Sequence, residues 1–175
     1  IRDLVRSRGL GDVYKRQPYI SVLLLSSSAL AYEILLMRLF SIIQWHHFAY
    51  MFIGLALLGY GISGAVVAIQ QARLLRHFAR WYIGAIALFG LTAVGCFALA
   101  QQVPLNAEAL LWDSRQIVFL CGVFLLLALP FFFAASAICL AFMHFGQQVA
   151  RLYAMDLAGA GLGSVLSIAV LYGLF

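Results

Sequence analysis

IVFLCGVFLLLALPFFFAASAICLAFM, residues 117–143, carries no charged side chain and decides the fold class. Its 27 residues exceed the ~20 a helix needs to cross the ~30 Å hydrocarbon core of a bilayer. Comparable apolar runs occupy about residues 18–43, 48–69 and 81–103 before it and 152–175 after it. In hydrocarbon each backbone N–H and C=O must find a partner without water, so runs of this length predict helices whatever their Val and Ile content.

The composition agrees. Hydrophobic residues make up 65% of the 175-residue chain and charged residues 10%, with a mean hydropathy of +1.02. Soluble domains hold roughly 45–50% apolar and about 25% charged residues. A globule of this size cannot hide so much apolar surface from water, which excludes a soluble enzyme and a nucleic-acid-binding module. The expected fold is all-α: a polytopic membrane helix bundle of about five transmembrane helices over residues 18–175. Its expected surroundings are the lipid bilayer, with no nucleic-acid partner.

The formal charge of +5 is lopsided. Residues 1–17, IRDLVRSRGLGDVYKRQ, hold Arg2, Arg6, Arg8, Lys15 and Arg16 against Asp3 and Asp12. This segment lacks the 7–15-residue apolar core of a signal peptide. It resembles the translation of a sequencing-adapter read-through, and on that resemblance it is expected to be a non-native leader that does not pack on the helices. The alternative is a natural basic arm on anionic lipid. With an apolar run continuing to Phe175, the chain is expected to be a fragment at both ends.

Topology follows from the connections. Gln44–His47 makes a tight turn between the first two helices, and Gln70–Arg80 is expected to be a loop carrying Arg73, Arg76 and Arg80. Pro104–Gln116 carries Glu108, Asp113 and Arg115; His144–Arg151 is the last connection. Positive charge favours the cytoplasm, so the Arg73–Arg80 segment and the amino terminus are expected inside a bacterial inner membrane. Trp45, Trp81 and Trp112 fall at run ends, the level of the headgroups. Pro130, inside the fourth run, is expected to kink it as a matter of packing geometry.

Three formal charges lie within the runs: Glu33, Arg38 and Asp156. Charge at bilayer depth marks function or internal pairing. At about 100° per residue, Ser26, Glu33 and Gln44 share a stripe, and Arg38 stands about 140° from Glu33, too far around the helix to pair with it. Glu33 then needs another helix, a proton or water, while Arg38 can snorkel outward. Asp156 shares a face with Gly159, Gly163 and Ser167, and Gly159-xxx-Gly163 has the spacing that lets helix backbones approach. It is expected to face the bundle, with packing and solute or proton handling both open as its role.

Gly59-x-Gly61-x-x-Gly64 matches a dinucleotide fingerprint in letters only, because it sits inside an apolar run with no strand before it. Gly54, Gly61, Ala65 and Ala68 form a small-residue stripe and are expected to pack against a neighbouring helix. Cys96, Cys121 and Cys139 are widely spaced and read as small hydrophobes. His46, His47, His77 and His144 lie near run ends, where facing axial haem ligands are not expected. With no metal spacing, nucleophile triad or phosphate loop, neither cofactor nor catalytic residue is expected in this chain.

Two stretches resemble a known family. Residues 28–65, SALAYEILLMRLFSIIQWHHFAYMFIGLALLGYGISGA, resemble the first helical hairpin of bacterial integral membrane proteins called spermidine synthase-like: Tyr32-Glu33, then Arg38, then Gly59, Gly61 and Gly64. Residues 151–164, RLYAMDLAGAGLGS, are similar to the family's Tyr-x-x-Asp-x-x-Gly-Ala-x-x-Gly segment through Tyr153, Asp156, Gly159, Ala160 and Gly163. Leu36 stands where many members have Trp. The resemblance implies a multi-helix membrane domain that anchors or regulates a cytoplasmic aminopropyltransferase-like domain in the same parent chain. That soluble domain is outside this sequence, so the fragment itself is not expected to catalyse transfer, whatever the parent does. A transport module for a small solute, cationic solutes included, using Glu33 and Asp156 is the second reading, and a haem- or quinone-binding redox subunit the third.

Overall fold

The computed structural model describes the backbone of residues 2–43, 49–103 and 114–173 and the side chains of 18–41, 51–103 and 115–173. The expectations for the turn with Trp45, His46 and His47, for the loop with Glu108, Trp112 and Asp113, and for the packing of the leader's side chains fall outside these residues. The described backbone forms α1 (Arg2–Ile43), α2 (Ala49–Ile69), α3 (Gln71–Arg76), α4 (Phe78–Ala100), α5 (Ser114–His144), a 3₁₀ turn (Gly146–Gln148) and α6 (Val149–Gly173). No strand occurs among the described residues. Among the described residues five segments are long and apolar enough to cross a membrane: Pro18–Ser41, Met51–Ile69, Phe78–Ala100, Arg115–His144 and Gly146–Gly173.

Two connections differ from the sequence expectation. Residues 70–80 are not a loop: α3 occupies Gln71–Arg76, and Arg80 and Trp81 already belong to α4. The reason is Leu74, which is buried against Val67 and Leu140 and gives a six-residue segment an apolar anchor while Arg73 and Arg76 stay exposed. Likewise α6 begins at Val149, so Arg151 lies in its first turn. α5 runs through Pro130 without a break, and the proline ring is fully buried.

Helices α1 and α5 form the centre. α5 packs on α4, α2 and α1; α1 packs on α6, α2 and α5. Lipid tails are as apolar as Leu, so association rests on close fit rather than on hiding apolar surface. The buried side of α5 accordingly runs Leu127, Ala128, Phe131, Ala134, Ala135 and Ala137, mostly small residues with Phe131 fully enclosed. Phe131 meets Tyr32 of α1 and Tyr60 of α2 at ring-centroid distances of 5.6 and 6.0 Å. Gly59 lets α2 lie on α5: a Cβ there would come 2.8 Å from the Phe131 Cβ and 2.9 Å from the Ala128 carbonyl oxygen. Four residues on, Ser63 and Ser136 hydrogen-bond across the same interface at 2.9 Å.

α6 meets α1 through glycine. A Cβ on Gly159 would run into the Leu23 carbonyl, and one on Gly163 into the Ser27 carbonyl. Both helices advance four residues between the two contacts, so they run parallel, as the first and fifth spans of a serial bundle must. The outer side of the bundle is apolar, with Leu91, Val94 and Val165 more than three-fifths exposed. That is untenable in water and ordinary against lipid.

Candidate functional site

Glu33 and Asp156, 123 positions apart in sequence, line one cleft. The cleft holds about 350 Å³ and is walled by α1, α2, α5 and α6. α6 leans chiefly on α1, while α2 packs on α5, and the space lies between these two pairs. α1 supplies Ser26 and Glu33 on one face; seven residues at 1.5 Å rise separate them by about 10 Å along the helix. Asp156 comes from the second turn of α6, the helix that Gly159 and Gly163 bring against α1. Its Oδ1 accepts a hydrogen bond from the Ser26 hydroxyl. Glu33 has no hydrogen-bond or ion-pair partner among the described residues. The two carboxylates therefore mark the two ends of the α1 stretch that borders the cleft.

Tyr60 and Cys139 complete the polar lining. Tyr60, on α2, lies within electrostatic reach of both Glu33 and Asp156, and Cys139 within reach of Asp156. Neither was singled out from the sequence. A phenol in the middle of an apolar helix was the available signal for Tyr60; nothing marks Cys139 out from the other cysteines. Among the described residues no Lys, Arg or His lines the cleft. Its character is acidic, set in apolar walls such as Ala29, Leu30, Ala135 and Ile138.

Other candidates separate from it. Arg38 is exposed near the far end of α1 and does not border the cleft. Tyr32, next to Glu33, turns the other way and donates its hydroxyl proton to the Ala93 carbonyl of α4 at 3.1 Å. The stripe of Gly54, Gly61, Ala65 and Ala68 is a correction: all four are exposed, and a Cβ on Gly54 or Gly61 would meet nothing within 4 Å. The packed face of α2 is instead Phe52, Leu55, Ala56, Gly59, Ser63 and Val67. In lipid either face is equally apolar, and the shape of α5 selects the one whose glycine fits beneath Phe131.

His77 sits exposed between α3 and α4. His144 ends α5 and stacks its ring on Phe78 at 3.9 Å, with Phe145 edge-on at 4.8 Å. Among the described residues no group of three His, Cys, Asp or Glu is placed to hold a metal ion. At the same end of the bundle Tyr19 of α1 hydrogen-bonds Gln148, and Ser21 bonds Tyr82 of α4 at 2.7 Å.

Comparison with known proteins leaves this geometry to stand alone. No family model, curated protein or solved structure matches the chain.

Proposed function

We propose that this chain is a membrane-embedded domain whose cleft between α1, α2, α5 and α6 binds a small cationic solute. The observation that carries the reading is the meeting of Glu33 and Asp156 in one cleft with no basic side chain among its described lining residues. A carboxylate at bilayer depth needs a neutralising partner, and such residues mark ion or solute pathways. Ser26, which bonds Asp156, and Glu33 stand seven residues, about 10 Å, apart along α1, and an acid at each end of this stretch with apolar walls between suits an extended organic cation better than a bare metal ion, which needs converging oxygen ligands.

The resemblance of residues 28–65 and 151–164 to spermidine synthase-like membrane proteins supports an aliphatic amine as the solute. It also supports a place for the domain in the parent: an anchor in the bacterial inner membrane, amino terminus inside, for a cytoplasmic transferase-like domain that the bound amine would regulate or receive. Arg73, Arg76 and Arg80 at one end of the bundle support that orientation.

The test is the thermal stability of the purified protein in detergent with spermidine added, against an uncharged polyol of similar length. A ligand at 100 times its Kd stabilises by about 2.7 kcal/mol, so a bound amine raises the unfolding midpoint measurably. Glu33→Gln and Asp156→Asn keep shape and hydrogen-bonding capacity and should each abolish the shift while leaving the ligand-free midpoint in place. An equal shift in the double variant refutes the proposal.

A further inference from the structure

A second cleft, of about 300 Å³, lies on another face of α5, between α2 and α4. α2 and α4 both pack on α5, whose Phe132, Ser136 and Leu140 line the cleft. At one end stand Leu74 of α3, Arg80 and Trp81. From there the α4 wall runs through Gly84 and Ala85 to Leu88, about 12 Å at 1.5 Å per residue.

We infer that this cleft seats one acyl chain of an anionic phospholipid, with its phosphate held at Arg80. Three observations converge. The wall length, about 12 Å, matches the ~15 Å depth of one leaflet's hydrocarbon. The polar end of the cleft is cationic: Arg80 lines it, Arg73 and Arg76 stand exposed on the adjoining α3, and none of the three has an ion-pair partner among the described residues. Trp81 sits at the same end, half exposed, where an indole takes the headgroup level. A free phosphate would satisfy the arginine and leave the apolar length empty; an uncharged lipid would fill the length and leave the arginine unpaired. A basic end on an apolar cleft between transmembrane helices fits an anionic lipid.

Trp81 supplies the probe. The protein with Trp45→Phe and Trp112→Phe is placed in phosphatidylcholine nanodiscs, and Trp81 fluorescence is followed as brominated phosphatidylglycerol or brominated phosphatidylcholine replaces the host lipid. Half-quenching is expected at a mole fraction about fivefold lower for the anionic lipid, the effect of one guanidinium at the membrane surface. Arg80→Gln should erase most of that preference. Gly84→Leu tests the seat for the chain: Gly84 lines the cleft and a Cβ there meets nothing within 4 Å, so the added side chain is directed at the space the acyl chain would take. It should lower quenching by both lipids while Arg80 stays in place. Equal quenching by the two lipids overturns the anionic occupant. Arg80 dependence with no effect of Gly84→Leu reduces the site to surface attraction and overturns the seat. A Trp81 that neither lipid quenches means that protein, such as a second copy, covers the cleft, and also overturns it.

Discussion

Adding one methyl group at Gly159 tests the α1–α6 contact on which the acidic cleft depends. The Cβ of Gly159→Ala would be driven into the Leu23 carbonyl, a backbone atom on a helix, which cannot rotate aside as a flexible side chain would. Overpacking of this kind costs typically 1–3 kcal/mol, and the rigid partner places it in the upper part of that range. Against this, Ala is favoured over Gly within a helix by about 0.8–1.0 kcal/mol. The net expectation is a loss of about 1–2 kcal/mol. Gly163→Ala meets the Ser27 carbonyl in the same way and should cost the same. The two are relieved by one movement, the separation of α6 from α1, so the double variant should lose less than the sum of the singles by more than the ~0.5 kcal/mol scatter of independent sites. Gly54→Ala and Gly61→Ala are the internal controls. A Cβ at either meets nothing within 4 Å, so each should gain up to about 1 kcal/mol from helix propensity alone. Equilibrium unfolding in mixed detergent micelles measures the free energies. Because α6 can leave α1 while remaining helical, spin labels at the exposed positions Leu24 and Leu157, in a background lacking the native cysteines, read the interhelix distance directly. Gly159→Ala behaving like Gly54→Ala, with no lengthening between the labels, refutes the contact.

Other expectations follow from single contacts. Ser63→Ala removes the bond to Ser136, but Ser136 keeps the Phe132 carbonyl at 2.7 Å, so the loss should be near the ~0.6 kcal/mol average for such bonds in membranes; unfolding in mixed micelles measures it, and a loss above about twice that value would show a larger role. Tyr60→Phe should weaken spermidine binding about fivefold, one hydrogen bond's worth, whereas Tyr32→Phe should leave it unchanged, because that hydroxyl is spent on Ala93; ligand-induced thermal shifts separate the two. A single cysteine at Gln71, on exposed α3, should be protected from an impermeant thiol reagent added outside intact cells; reaction from outside would invert the proposed topology.

The five spans were readable in the sequence because hydrocarbon imposes one local rule: about 20 apolar residues, with every backbone group paired along the helix. Residues 117–143 satisfy it unaided, and α5 covers them. The in-membrane acids were readable for the same reason, since charge at that depth is costly wherever the chain folds. What the sequence could not supply was direction around each helix axis. In water a polar face and an apolar face declare which side is inward; in lipid α2 is apolar all round, and its glycines at 54, 59 and 61 look alike until α5 presents Phe131. Only the packing distinguishes Gly59 from the other two. The same holds for α3, where Leu74 finds a pocket beside Val67 and Leu140 and turns an expected loop into a helix. It holds most of all for the acidic cleft. Glu33 and Asp156 are local features of separate helices, but their meeting depends on Gly159 and Gly163 bringing α6 onto α1, a long-range fit of shapes that no hydropathy pattern encodes.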